Sequence, residues 1–162
     1  WEEYAEIIGG RFLYLADQLR GSERPDSGYR HKVSHTLRVV KDHPITAELP
    51  ANFSMTDELY LSEVFDDSIE PLLTSSYNFT RNNFYSAKRA INGKMFDNEG
   101  WEHDDGSNVV AWIKHYGQSP IAYLQGGDDP QAYRNNHYRQ LIENSIHWVA
   151  SQAAHDWARA RG

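Results

Sequence analysis

The sequence contains no cysteine, which excludes disulfides, thiolate metal sites and a cysteine nucleophile. It lacks any run near the roughly 18 apolar residues of a membrane span, and it does not open on the basic-then-apolar pattern of a signal segment. Positive charge is also scarce, since 16 Lys and Arg residues face 23 Asp and Glu residues, for a net charge of −7. Nucleic-acid binding needs a basic face, so we expect neither nucleic acid nor a membrane as a partner. A cysteine-free chain of this kind fits a cytoplasmic location.

The 162 residues suffice for one domain, and 40% apolar with 24% charged residues is a globular balance. Apolar runs and alternating patterns predict strands at 35–41, 57–64, 72–77, 108–115 and 121–125. Helical spacing predicts helices over 1–20 with an interruption at Gly9-Gly10, weakly over 86–91, and from Tyr138 toward Ala160. Residues 21–34 have the composition of a loop. Strands mixed with helices indicate the α/β class.

Two pairs of carboxylates lie at positions where they could act as acid and base in a ligand site. Asp57-Glu58 opens a predicted strand, and Asp128-Asp129 lies in a tight turn after the predicted strand 121–125. Open α/β sheets place ligand crevices at the carboxyl ends of their strands. We therefore predict that Asp128 directly follows a central strand and faces a cleft shared with Glu58, where repulsion would raise one pKa. The alternative is that Asp128 caps the next helix or shapes the turn.

Aromatic residues make up 13% of the chain. Tyr and Trp combine an apolar face with a hydrogen-bonding group, which suits sugar recognition. The candidates in or beside predicted loops are Tyr29, Tyr60, Trp101 and Tyr133. We expect Tyr29 and His31 to turn toward the Glu58 cleft from the predicted loop, which would otherwise be a solvated connector.

Motifs for metals, nucleotides and serine nucleophiles are missing. The chain has no His-Glu-x-x-His, no dinucleotide fingerprint, no Walker pattern and no Gly-x-Ser-x-Gly. We therefore expect no metal and no cofactor.

Several segments together resemble the ThuA-like (trehalose utilisation) family. They are W-x-x-Y-x-E-I-I-G-G-R-F (1–12), H-P-I-T-x-x-L-P (43–50), F-x-x-x-D-E-L-Y (53–60), A-W-I-K-x-Y-G (111–117), G-D-D-P-Q-A-Y (127–133) and the closing R-Q-L-I-E-N-S-I-H-W-V. The resemblance implies one domain over 1–162 with the flavodoxin-like three-layer sandwich of the class I glutamine amidotransferase-like superfamily, represented by its C-terminal portion.

The chain departs from the family pattern in two ways. Family members carry further N-terminal strands before the helix that begins here at Trp1, so we expect a missing N-terminal segment, or a homo-oligomer, to cover one sheet edge. The family also usually has a His where Asp128 stands. Without that His and without Cys, the glutamine-hydrolysing triad of the superfamily is not available.

The resemblance implies a role in carbohydrate metabolism, connected with trehalose or related glycosides and keto-sugars. The hypothesis is a pocket for a small carbohydrate in which Glu58 or Asp128 acts as acid or base and His31 or His103 as proton shuttle. Arg11 and Tyr60 would anchor the substrate, beside the aromatic candidates named above. The alternative is a non-catalytic sugar-binding or assembly domain. The two are distinguished by whether Glu58, Asp128 and a His converge.

Overall fold

The computed structural model describes residues 2–162, so Trp1, the predicted first helical residue, lies outside the described residues. The helices are α1 (Glu2–Ile8), α2 (Ala87–Ile91), α3 (Asn136–Val149) and α4 (Gln152–Arg159), with 3₁₀ turns at Pro44–Thr46, Arg81–Asn83 and Ala132–Arg134. The strands are β1 (Gly10–Arg11), β2 (Asp17–Leu19), β3 (Ser22–Arg24), β4 (Gly28–Val39), β5 (Asn52–Leu61), β6 (Glu63–Val64), β7 (Glu70–Ser75), β8 (Tyr85–Ser86), β9 (Val109–Tyr116) and β10 (Ser119–Leu124). Across residues 2–162, no helix is long and apolar enough to cross a membrane.

A curled antiparallel sheet forms the centre of the molecule. Its strand order is β10-β9-β7-β4-β5, and β8 pairs with one end of β4. Two small ribbons, β1 with β6 and β2 with β3, lie outside this sheet. The α/β class predicted from the mixture of strands and helices is confirmed.

Strand β9 is buried on both faces, which gives the domain its layers. On one face, the Trp112 indole N–H donates to the carbonyl of Ile8 at the end of α1, at 2.8 Å. On the other, Ile113 belongs to the main core together with Leu141 and Trp148 of α3. Successive residues of a strand point to opposite faces, so helices cover both sides of the sheet, as the three-layer expectation requires.

The hairpin of β9 and β10 forms where the sequence predicts it, but three other segments differ. The predicted loop 21–34 is wrong, because it contains β3 and the first half of β4, whose polar residues face outward while Tyr29 and Val33 are buried. The first helix ends at Ile8, at the interruption predicted for Gly9-Gly10, and Gly9 takes a φ of +86°; the helical spacing predicted up to residue 20 is wrong, because residues 10–19 contain β1 and β2. The predicted long terminal helix is two helices, because the Ser151 hydroxyl accepts from the backbone N–H of Ala154 and caps α4.

Replacing Leu141 with alanine tests the packing of α3 on the sheet. Leu141 is 1% exposed, so the cavity left behind should lower the free energy of unfolding by about 2–5 kcal/mol. Ile146 lies on the same helix but is 59% exposed, and Ile146→Ala should change it by no more than about 0.5 kcal/mol. Urea unfolding of both variants checks this, and equal losses would contradict the assigned packing.

Candidate functional site

The pairing of β4 with β5 brings a histidine beside a glutamate. Arg30 pairs with Leu59 and the next pair is Val33 with Asp57, so His31 and Lys32 together stand opposite Glu58. The register shifts between Arg30 and Val33, a β-bulge of the kind that redirects side chains beside functional sites. His31 Nδ1 lies 3.4 Å from Glu58 Oε1.

The segment after β10 carries Asp128 to the same place from the opposite end of the sheet. β10 is an end strand, so the prediction that Asp128 follows a central strand is wrong. The segment instead runs along the open edge of β5, where the Gln125 amide accepts from the backbone N–H of Tyr60 at 3.3 Å and donates to its carbonyl at 3.4 Å. The curl of the sheet, rather than a parallel-strand crevice, brings Asp128 to Glu58.

Asp57 fixes the turn that presents Asp128. Its side chain is fully buried on the core face of β5, and its two oxygens accept the backbone N–H groups of Gly127 at 2.5 Å and Asp129 at 3.1 Å. These two donors flank Asp128 along the chain. Sequence reasoning named Asp57 only as the neighbour of Glu58, because nothing in the pattern shows which backbone groups a buried carboxylate will meet.

Gly127 is required by the same turn. Its φ is +114°, a backbone conformation that L side chains rarely adopt. A Cβ at this position would also lie 2.7 Å from the hydroxyl oxygen of Tyr133 and 2.9 Å from that of Tyr138. Tyr138 in turn donates its hydroxyl to the carbonyl of Gly126, which ties the turn to α3.

Burial is the main electrostatic influence on Glu58, and it raises the pKa of this carboxyl above its ordinary value of 4.5. The hydroxyl of Tyr60, which donates to Glu58 Oε2 at 2.7 Å, and His31 both act in the lowering direction. The charge of Asp128 and a side-chain hydrogen bond with it raise the pKa further. Burial and the neighbouring Glu58 raise the pKa of Tyr60 as well, so its hydroxyl stays a donor.

His31, Glu58 and Asp128 offer one ring nitrogen and two carboxylate oxygens within 4.8 Å of one another. A divalent cation could also be bound at this spacing. A hydrogen-bonded set accounts for the arrangement as it stands. Glu58 Oε2 already accepts from Tyr60 and Oε1 faces His31, and the raised pKa of Glu58 favours its neutral form beside Asp128.

A cavity of about 450 Å³ opens in front of these groups. It holds five of the nine predicted site residues: Tyr29, His31, Glu58, Tyr60 and Asp128. Its other lining residues, which the sequence analysis did not single out, are Phe12, Tyr14, Ser62, Ala87, Ala90, Ile91, Met95 and Tyr123. They come from segments distant in the chain, and only the curl of the sheet shows that they meet.

The structure does not bring the other four predicted residues to this cavity. Arg11 forms an ion pair with Asp17 at 2.9 Å, and Tyr133 lines a different cavity with residues of α3. Trp101 packs in the core, where it is 5% exposed and donates its indole N–H to the carbonyl of Asp26 at 3.0 Å. His103 packs beside it, with ring centroids 5.4 Å apart.

The fold and this pocket together define an α/β domain with a candidate ligand site at the edge of a curled sheet. The sequence model for trehalose utilisation, ThuA, matches residues 1–149, and the chain belongs to this family. No curated protein matches it.

A solved structure supports the same fold. A putative ThuA-like protein from Parabacteroides merdae ATCC 43184 has a similar structure, with a TM-score of 0.60 at 18% sequence identity. The match covers 93% of this chain and 55% of that protein, so the chain spans about half of its length. At this identity the likeness shows the fold alone. The likeness to this neighbour fits the flavodoxin-like class that the resemblance implied, with the difference that the strand pairs of this chain's main sheet are antiparallel.

Proposed function

We propose that this domain binds an uncharged carbohydrate, such as trehalose or a related glycoside or keto-sugar, and acts on it by acid–base chemistry in the Glu58–Asp128 pocket. The observation that carries the proposal is the convergence of Glu58, Asp128 and His31 at one end of an aromatic-lined cavity. Family membership supports a link to trehalose utilisation. The sugar, the reaction and the role of each residue belong to the proposal.

The lining of the cavity favours a neutral sugar. The half-buried rings of Tyr60 and Tyr123 can pack on a sugar ring, while the carboxylates accept hydrogen bonds from its hydroxyls. Of the described residues that line it, none is Lys or Arg, so a phosphate group would find two carboxylates and no fixed positive charge.

The three polar groups suit proton transfer. Glu58 holds its proton to a higher pH than an ordinary glutamate, which lets it donate to a sugar oxygen. Asp128 is exposed and accepts the proton released elsewhere on the sugar, and His31 relays protons between the pocket and solvent. A non-catalytic sugar-binding or assembly domain does not require this convergence of acid, base and histidine.

Thermal unfolding with a panel of sugars tests the proposal. Trehalose, glucose and their keto derivatives are compared with trehalose 6-phosphate. A neutral sugar that binds should stabilise the fold by about 2–4 kcal/mol at concentrations well above its Kd, whereas the phosphate ester should bind at least about tenfold more weakly.

The matched variants are Asp128→Asn and Asp129→Asn, which remove neighbouring charges from the same turn. We expect the first to weaken binding and the second to leave it unchanged. No stabilisation by any neutral sugar, or equal effects of both variants, would contradict the proposal. Carbon NMR of the bound sugar measures its conversion. Binding without any conversion would favour the non-catalytic alternative.

A further inference from the structure

The mouth of the pocket is apolar, in contrast to its buried end at Glu58. Glu58 is 6% exposed, whereas four large side chains at the entrance stand open to solvent. They are Tyr14 (64% exposed), Ile91 (54%), Met95 (50%) and Phe96 (58%), and we call them the mouth residues. Tyr14, Ile91 and Met95 line the cavity itself, so this exposed surface is continuous with the site.

Phe96 is held at the entrance in a strained backbone conformation. Its φ is +58°, which is unusual for a bulky side chain. Its backbone N–H donates to the hydroxyl of Tyr29 at 2.8 Å, and that hydroxyl lies 3.8 Å from the sulfur of Met95. Backbone strain of this kind is found where a structure clamps a ligand. Tyr29, a residue of the pocket wall, therefore holds Met95 and Phe96 in place at the mouth.

Ring contacts connect the floor to the mouth. The ring of Phe96 lies 5.8 Å from that of His31 and 6.3 Å from that of Tyr29, between centroids. A substituent on a sugar ring that lies against Glu58 can extend toward these rings and toward Ile91. The substituent at that end would exchange water for apolar surface.

We infer that the pocket takes a glycoside with an apolar or aromatic aglycone, the sugar lying against Glu58 and Asp128 and the aglycone against the mouth residues. The inference rests on the proposed function and adds the class of substrate. Exposed apolar surface that continues into a polar-floored cavity is typical of a ligand groove. A disaccharide would place a second, more polar ring against this surface and bury less apolar area there than an apolar aglycone.

Isothermal titration with methyl and phenyl D-glucopyranosides, each as α and β anomers, tests the inference. The phenyl glycoside of the preferred anomer should bind at least about tenfold more tightly than its methyl counterpart, equivalent to about 1.4 kcal/mol. Ile91→Ser should remove most of that gain, so that it weakens binding of the phenyl glycoside far more than binding of the methyl glycoside. Ile146→Ser is the matched control, since Ile146 is 59% exposed but lines a different cavity.

The outcomes separate the two proposals. Equal affinity for methyl and phenyl glycosides would overturn the inference and leave the proposed function standing. If neither glycoside bound although another neutral sugar stabilised the fold, the inference alone would be overturned. If no neutral sugar bound, the proposed function would be contradicted together with the inference. Phenol binding as tightly as the phenyl glycoside, or equal effects of Ile91→Ser and Ile146→Ser, would show a general apolar patch and overturn the inference alone.

Discussion

Asp57→Ala is expected to lower the free energy of unfolding by about 3 kcal/mol or more and to weaken sugar binding at the same time. The substitution leaves the backbone N–H groups of Gly127 and Asp129 without their acceptor. Hydrogen bonds to a charged group contribute about 1.5–3 kcal/mol each, and part of that is offset by the cost of burying the carboxylate. The turn that presents Asp128 to the pocket would no longer be held in place, which is why sugar binding should weaken.

Asp129→Ala is the matched control, because within residues 2–162 the Asp129 side chain accepts a hydrogen bond only from the Gln131 amide, at 3.3 Å. It should change stability by no more than about 0.5 kcal/mol. Urea unfolding and sugar titration of both variants give the answer. A loss below about 1 kcal/mol for Asp57→Ala would show that the buried carboxylate does not hold the turn.

Glu58→Gln is expected to lower the rate of sugar conversion by about 100-fold or more, because glutamine keeps the shape of the side chain but cannot transfer a proton. Tyr60 can still donate to the amide oxygen, so the pocket should keep its form. Glu143→Gln, an exposed glutamate on α3 that lines a different cavity, is the control and should leave the rate unchanged.

The same variant has a defined effect on the pH dependence of stability. The pKa of Glu58 is raised in the folded chain, so the folded state binds its proton more tightly than the unfolded state does. The contribution of Glu58 to stability is therefore complete below its ordinary pKa of 4.5 and is lost as the pH rises through the higher folded pKa.

Glutamine does not titrate, so the stability of Glu58→Gln should rise relative to the parent chain across that window. Urea unfolding between about pH 4 and pH 8 measures the difference. A constant difference over this range, together with an unchanged rate of conversion, would rule out an acid–base role for Glu58.

Sequence reasoning predicts the hairpin of β9 and β10 well because their apolar runs, flanked by turn residues, match the burial of β9 on both faces. It misses β3 and the start of β4 because residues 21–34 are polar on their outer face. Only pairing makes them strands, with β2 in the case of β3 and with β5 in the case of β4. The break before Ser151 is also missed, since the apolar spacing continues through it and the cap depends on one hydroxyl.

The candidate site follows the same pattern. Glu58 and Asp128 can be found from their position beside strands, and Tyr29 and His31 from the density of polar groups around them. Trp101 and Arg11 resemble site residues in the sequence, but one is a core side chain and the other is paired with Asp17. The apolar mouth residues carry no sequence signal, because single exposed apolar side chains are normal in proteins. They form a surface only when the fold brings them together.

The most direct test of the Glu58–Asp128 sugar pocket is the carbon NMR titration of the Glu58 carboxyl, identified as the resonance lost in Glu58→Gln. We predict a midpoint above 4.5, a lower midpoint in Asp128→Asn, and a shift of this resonance when the sugar with the strongest thermal stabilisation is added. A midpoint at or below 4.5, with a resonance that the sugar does not move, would contradict the account.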